Sequence, residues 1–558
     1  MSREDRKGFV SEKPLLGMSG WTACLALSVA LGAMGACSTG TTSNGAPSSA
    51  TPATAEAKPA LRLYLLSNVA GALEPCGCSK DQLGGASHFA SLFESEKGAA
   101  QTSLIIGAGP LFFQDPKSTP KKATQDLWKA EALAKGAAKL GVLAWTPGAN
   151  DFGAGDAVFK QLAESSKVSF LAANGPGTGP LQKSRILEVD GVKVGFTGVL
   201  DPKVASSTGG PLSAPVEALR SEVQALRTQG ARVVVVMAVL PRGEALRLTD
   251  EIKDIDVMLL GKPSEKGEAN DAPRAPVITG STLVVELSNH LQTTARLDLH
   301  FKEPADSSGR IVLADGGGLA RAEQLLGINQ QIRDLEARIN GWEKSTVVRA
   351  DDLSARRKDL ERLRTERATL EGQTPEAPSG SFFQYSLVEV REKLGKEPGL
   401  EEVALGYYKR VNDHNREAFK GVMPPEAGDG ASYLGVEACS SCHAEERAVW
   451  DKTSHAKAYA TLEKKFVEFN LDCVACHVTG YEKPGGSTVT FVDSLKNVQC
   501  ETCHGPGSLH AKEPKNKALI QTKPDPKSCV SECHHPPHVE AFDATAKMTS
   551  ILGPGHGL

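Results

Sequence analysis

Between Ala438 and the C-terminus the chain spaces its cysteines in pairs, and a histidine follows each pair. The four copies read Cys439-Ser-Ser-Cys442-His443, Cys473-Val-Ala-Cys476-His477, Cys500-Glu-Thr-Cys503-His504 and the longer Cys529-Val-Ser-Glu-Cys533-His534. Eight of the twelve cysteines and nine of the thirteen histidines fall in this stretch. Cys-x-x-Cys pairs also build zinc sites, but a zinc site does not need a histidine directly after each pair. Covalent attachment of haem does: the two thiols add across two vinyl groups, and the next residue offers its imidazole to the iron. His443, His477, His504 and His534 are therefore the proximal ligands. The fourth copy has one extra residue and can still reach both vinyl groups. If it is instead a disulfide or two free thiols, the count drops from four haem c to three.

The second axial ligand follows from supply. Met548 is the one methionine in the stretch, so His/Met ligation at several irons is excluded. Five histidines remain: His455, His510, His535, His538 and His556. His535 directly follows a proximal histidine and points elsewhere, which leaves His455, His510, His538 and His556 as distal candidates. Which of them serves which iron is not readable from spacing. Irons held by two histidines lack the methionine that raises the potential, so low potentials are expected. Four haems in so short a segment leave little room for a side-chain core, so their faces must supply it.

The N-terminus agrees with this chemistry. Arg3, Arg6, Lys7 and Lys13 precede an apolar run from Trp21 to Met34, too short and too rich in small residues for a membrane span and suited to a secretory signal. The run ends Met34-Gly35-Ala36-Cys37-Ser38, which resembles a bacterial lipoprotein signal with Cys37 as the lipidated residue. The alternative is an ordinary signal peptide cleaved nearby. Residues 1–36 are thus a signal peptide that takes Cys24 with it, and 37–60, rich in Ser, Thr, Ala and Pro, a flexible tether. The expected location is the bacterial cell envelope, lipid-anchored at a periplasmic or outer-membrane face, with the choice of membrane open. A net charge of −4 gives no reason to expect nucleic acid as a partner.

Residues 61–304 read as an α/β layer. Strand-length apolar runs occur at Leu61–Leu66, Leu104–Ile106, Val192–Thr197, Val233–Val239, Val257–Leu260 and Leu283–Leu287, with helical patterns such as Leu127–Leu140 and Pro215–Thr228 between them. The order of motifs resembles the 5′-nucleotidase type of calcineurin-like metallophosphoesterase. Ser67-Asn68-Val69-Ala70-Gly71, Glu74-Pro75-Cys76-Gly77-Cys78, Gly107-Ala108-Gly109-Pro110, Gly148-Ala149-Asn150-Asp151-Phe152 and Ile255 to Lys262 carry the resemblance. It implies an α/β sandwich with metal ligands at strand ends. Those ligands are missing here: Asn68, Ala70, Pro110, Asn150, Lys262 and Ser264 stand where the family has carboxylates and histidines, and Ala149 where it has an asparagine. A two-metal hydrolase needs such ligands to hold its ions and activate water, so this domain is expected to be catalytically silent. Cys76 and Cys78 are too close to bridge without strain; a metal or redox role and a purely local one both stay open.

From 318 to 373, Leu325, Ile328, Ile332, Leu335, Ile339 and Trp342, then Leu353, Leu360, Leu363 and Leu370, recur at helical spacing. Two helices joined by a short turn, with Asp351 as an N-cap, form a hairpin suited to packing on itself or on a second copy of the chain. Residues 374–430 read as a connector with a strand over 381–390 and a helix over 399–420, where His414 is a surface histidine. Residues 431–558 are the tetrahaem domain, mainly helical. They resemble the multihaem cytochrome c-554 family, as carried by Trp450-Asp-Lys-Thr-Ser454-His455-Ala456, His477-Val-Thr-Gly480, Val498-Gln-Cys500-Glu501, His504-Gly-Pro-Gly-Ser-Leu-His510, His534-His535-Pro-Pro-His538 and Gly553-Pro-Gly-His556-Gly557. In that resemblance His455 and His510 match distal ligands, and one iron is allowed to stay open to a small ligand.

The whole then reads as an exported, multidomain electron carrier between redox partner proteins, anchored in a membrane by its N-terminal lipid. Two alternatives stay open: a haem enzyme acting on a small nitrogen or oxygen species, and a residual phosphohydrolase.

Overall fold

The computed structural model describes residues 58–76, 82–207, 211–267, 269–302, 309–342, 348–373, 378–535, 539, 542–553 and 555–556. Cys37, Cys78 and His538 lie outside them, as do the signal and the tether up to residue 57. The chain divides into Met1–Glu56 and Ala57–Leu558, and every described residue belongs to the second unit.

The run Val233–Val239 illustrates how the sequence builds the core. It is apolar at all seven positions and completely buried. Parallel neighbours flank it, Val192–Leu200 on one side and Val257–Gly261 on the other, and a central parallel strand has two faces to bury. Val233, Val235, Met237 and Val239 join the core between two sheets. Val234, Val236 and Ala238 turn to the opposite face and pack with residues of the helices Pro215–Thr228 and Arg242–Glu251. This strand belongs to a six-stranded sheet with the order Val277–Thr279, Thr282–Glu286, Val257–Gly261, Val233–Val239, Val192–Leu200, Ser184–Val189.

The second sheet has eight strands, in the order Ala314–Asp315, Phe382–Glu389, Thr293–His300, Leu61–Ser67, Thr102–Ala108, Ala144–Thr146, Ser169–Leu171, Leu181–Gln182. The two sheets share one core, so the expected α/β sandwich is present. Its edge differs from the expectation in one respect. The strand Phe382–Glu389, read from sequence as part of a connector after 374, pairs antiparallel with Thr293–His300 from His300↔Phe382 to Thr293↔Glu389. The sheet therefore does not end at 304. Alternation marks a strand but does not name the partner that it will pair with.

The helical hairpin Leu319–Trp342 and Ala350–Glu371 is inserted before that returning strand and has its own small core of Ile328, Ile332, Ile339, Leu360 and Leu363. Its second helix is capped at Arg349, not at Asp351. Asp351 and Asp352 sit in the first turn, where a carboxylate is favoured by the helix dipole, and Asp352 accepts from the Arg349 guanidinium at 3.0 and 3.2 Å. The helix Pro398–Ala418 starts on a proline after Glu397, whose carboxylate accepts from Leu400 N at 2.7 Å. It packs on the helices Ala86–Glu96 and Ala123–Leu140. His414, on this helix, meets Trp128 edge-on at 4.9 Å.

After residue 431 the elements are single helical turns, and the buried apolar cluster shrinks to Tyr459, Val474, Val478 and Val492. No helix among the described residues is long and apolar enough to cross a membrane.

Met237 is fully buried between the sheets and Val312 is 75% exposed. Met237→Ala is expected to cost about 2–5 kcal/mol in chemical denaturation, and Val312→Ala less than about 0.5 kcal/mol.

Candidate haem-binding site

The second and third motifs fall on the helical turns Val474–His477 and Cys500–His504, whereas the first and fourth begin in Val436–Ser440 and Lys527–Glu532 and place their second cysteine and histidine just past the turn. One turn sets the two cysteines of a Cys-x-x-Cys pair on one side of the backbone and delivers the histidine at the turn's end. In the first motif His443 N donates to Cys439 O at 3.0 Å. In the fourth, His534 N donates to Cys529 O at 2.8 Å. The extra residue is absorbed by a wider turn, and the histidine keeps the same backbone acceptor, the carbonyl of its first cysteine.

None of the eight thiols is in a disulfide, and two of the contacts among them cross between motifs. Cys439 meets Cys500, and Cys476 meets Cys533. The Cys439 contact lowers the Cys500 thiol from its ordinary value. The first site thus adjoins the third, and the second adjoins the fourth.

A buried polar lattice fixes the first of these pairings. Glu501 lies between the cysteines of the third motif and is 2% exposed. Its carboxylate accepts from Leu434 N at 3.0 Å, Gly435 N at 2.7 Å and Gly507 N at 2.7 Å. Gln499, one residue before the motif, accepts from Val436 N at 2.6 Å and donates to Ser494 O and Lys496 O, both at 2.8 Å. The chain entering the first motif is therefore held by two side chains of the third. The sequence reading quoted both residues only as part of the resemblance and gave them no role, although an acid between the paired cysteines was a visible signal.

The histidines divide into those brought together and those not. The rings of His455 and His534 have centroids 6.2 Å apart, and those of His504 and His556 are 6.5 Å apart. Metal–imidazole bonds of about 2 Å, plus the ring's own radius, separate two such centroids by roughly 6 Å. Each pair therefore fits a metal atom between its rings. Phe542 stacks on His534 at 4.0 Å and 7°, which fixes the plane of that imidazole. Burial lowers the basicity of His455 and His534 and keeps them in the neutral form that binds a metal. His477 Nδ1 meets Ala458 O at 2.7 Å and His504 Nδ1 meets Gln521 O at 2.7 Å, which turns the other ring nitrogen of each outward. His443 Nδ1 lies 3.5 Å from Glu446. No other histidine ring packs on His443 or His510 among the described residues. His510 Nδ1 is nevertheless buried without a hydrogen-bond partner, as suits a ligand. The small apolar cluster, the eight thiols outside any disulfide and the two ring pairs all fit haem.

The α/β layer clasps this segment beside the second motif. Asp472, directly before Cys473, accepts from Lys122 at 2.5 Å and Lys129 at 2.9 Å. Burial alone would raise the Asp472 carboxyl, but the two ammonium groups hold it well below the ordinary range. Gln125 donates to Asn470 at 2.9 Å and accepts from Leu471 N at 3.0 Å and Asn415 at 3.2 Å. None of these residues stands out in the sequence, because their partners are hundreds of positions away.

The resembled metal positions of the α/β domain also converge, and they bind one another. Asn68 Oδ1 accepts from Lys262 N at 2.7 Å. Asn150, fully buried, donates to Gln114 O at 2.7 Å and Glu265 O at 3.0 Å and accepts from Ser264 Oγ at 3.2 Å. Lys262 Nζ pairs with Glu265 at 2.9 Å and also with Asp271. Asp151 takes the backbone N–H groups of Leu111, Phe112 and Gly148, yet burial pushes it up to about 7. Among the described residues no group of three or more His, Cys, Asp or Glu is set to hold a metal ion.

Two expectations follow. Glu501→Ala strands three backbone N–H groups, and a cost of about 1–3 kcal/mol for each buried donor left unpaired is expected. Haem absorbance during denaturation of the loaded protein checks it. The lowered Asp472 carboxyl stabilises the clasp fully above about pH 4; that stability is lost as pH falls through the lowered folded value. Asp472→Asn should therefore unfold at a lower temperature than wild type, by a margin that stays constant from about pH 7 to 4 and shrinks below it.

Residues 438–505 match the family model for cytochrome c554 and c-prime. Cytochrome c-554 of Nitrosomonas europaea is 36% identical over 94 residues, which is 14% of this chain and 40% of that protein. The match thus spans about two fifths of the relative's length. Among solved structures, the chain is similar to a 5′-nucleotidase precursor from Thermus thermophilus, with 16% identity, a TM-score of 0.41 and coverage of 68% of this chain and 62% of that one. It is also similar to the NAD nucleotidase of Haemophilus influenzae, with 14% identity, a TM-score of 0.42 and coverage of 79% and 73%. Residues 438–505, which hold the first three attachment motifs, thus form a segment of the cytochrome c554 type.

Proposed function

We propose that the protein is an exported electron carrier with four c-type haems and a catalytically silent phosphoesterase-like domain as their platform. The observation that carries this is the pairing of histidines from different motifs, His455 with His534 and His504 with His556. A ligand drawn from a distant motif ties the sites into one unit. Haem c, when bound, supplies a reversible one-electron couple, at low potential where both axial ligands are histidine. The chain's part is to tether and to position. Cys439, Cys442, Cys473, Cys476, Cys500, Cys503, Cys529 and Cys533 would tether the haems, and His443, His477, His504 and His534 would bind their irons. His455 and His556 would be the second ligands beside His534 and His504, which leaves His510 and His538 for the first and second sites. The lattice of Glu501 and Gln499 keeps the first and third sites adjacent.

Lipid anchoring at Cys37 in the cell envelope, with the hairpin as a contact between copies, completes the reading. The signal-like run before Cys37 and the hairpin's exposed charged faces support it.

The silence of the α/β domain rests on Lys262. Its ammonium group forms an ion triad with Glu265 and Asp271 at the strand ends, where a divalent cation would have to displace it.

Two experiments test the reading. In the loaded protein, His455→Ala and His556→Ala should each convert one haem from low-spin to high-spin in electron paramagnetic resonance. If both spectra match the wild type, the assigned pairs are wrong and an open iron gains ground. Incubation with Mn²⁺ and a generic phosphoester should give no turnover; turnover that Asn68→Ala or Asn150→Ala removes would contradict the silent domain.

A further inference from the structure

We propose that the loop from Lys512 to Lys527 is a docking surface for an acidic partner protein, which exchanges electrons at the third attachment site. The inference rests on the electron-carrier reading above. Lys512, Lys515, Lys517, Lys523 and Lys527 are all exposed. Among the described residues none of the five has a carboxylate partner, whereas Lys483 and Lys496 of the same domain pair with Glu532 at 3.6 Å and Glu463 at 3.1 Å. The loop also carries two exposed carboxylates, neither of them ion-paired with a lysine among the described residues: Asp525 accepts from Lys527 N at 2.9 Å, and Glu513 lies 3.5 Å from the Asn516 amide. Five lysines against two carboxylates leave the loop net positive, in a chain whose net charge is −4.

The loop's path links this charge to a haem ligand. It leaves the third motif through the turn Ser508–Lys512 and returns at Gln521. Gln521 N donates to His504 O at 3.1 Å, and its carbonyl meets His504 Nδ1 at 2.7 Å. The loop that carries the lysines thus returns onto the ligand whose ring lies beside His556. A group of cations near an electron port attracts an anionic face and speeds encounter without requiring a tight complex. A protein suits this surface better than a lipid bilayer. Pro514, Pro524 and Pro526 interrupt any amphipathic helix, and the loop has no aromatic residue to insert among headgroups.

The test uses the reduced, loaded full-length protein. Its oxidation is followed with anionic ferricyanide and with cationic tris(phenanthroline)cobalt(III), at low and high ionic strength, and its binding of poly-L-glutamate is measured by calorimetry. For K512E/K515E/K517E, the ferricyanide rate at low salt should fall about tenfold and poly-L-glutamate binding should disappear, while the cobalt rate holds or rises. Lys523→Glu combined with Lys527→Glu should act in the same direction, and unchanged haem spectra would show that both variants are loaded. Ferricyanide rates and poly-L-glutamate binding equal to wild type would overturn the docking surface. Loss of binding to phosphatidylglycerol vesicles, with those two readouts unchanged, would assign the lysines to a membrane and also overturn it. If neither oxidant draws electrons from any form, the carrier reading itself fails, separately from the loop.

Discussion

Glu501 is a buried carboxylate that takes backbone N–H groups from Leu434, Gly435 and Gly507. The haem segment depends on it because the usual means of holding a domain together is scarce there. Tyr459, Val474, Val478 and Val492 are a small cluster for so long a stretch. Where apolar area is scarce, order must come from satisfied polar groups and from the bound cofactors. Hydrogen bonds to a charged acceptor in a dry site are directional and strong. They set the first motif against the third before any axial ligand is considered.

The α/β domain uses the same device at two further places. At the clasp, Asp472 is shared by Lys122 and Lys129 directly before Cys473, so the position of the second motif is tied to the helix Ala123–Leu140. At the strand ends, Asn68 and Asn150 spend their amides on neighbouring backbone groups, and Lys262 joins two carboxylates. The α/β framework thus supports the haem segment. Its sheets hold the helix Ala123–Leu140, and through that helix they hold the haem segment.

The sequence revealed what is local or periodic. Val233–Val239 declared itself a buried strand, Pro215–Thr228 a helix, and the four Cys/His motifs their chemistry, because each signal lies within a few residues. What stayed hidden is long-range. The strand Phe382–Glu389 was legible as a strand but not as the neighbour of Thr293–His300. His455 was legible as a distal candidate but not as the partner of His534, since their pairing depends on how the turns between them fold. Gln125 and Asp472 gave no signal at all, because a polar side chain acquires meaning only from the partner across the clasp. The lysines of the last loop were plain in the sequence, but their lack of partners and their link to His504 were not.

The central claim is that four covalent haems complete the core of residues 431–558. Intact mass of the mature protein, with a pyridine haemochrome spectrum on the same sample, tests it most directly. The account predicts a mass increment of four haems, matched by the haemochrome count. Fewer than three covalent haems would contradict it.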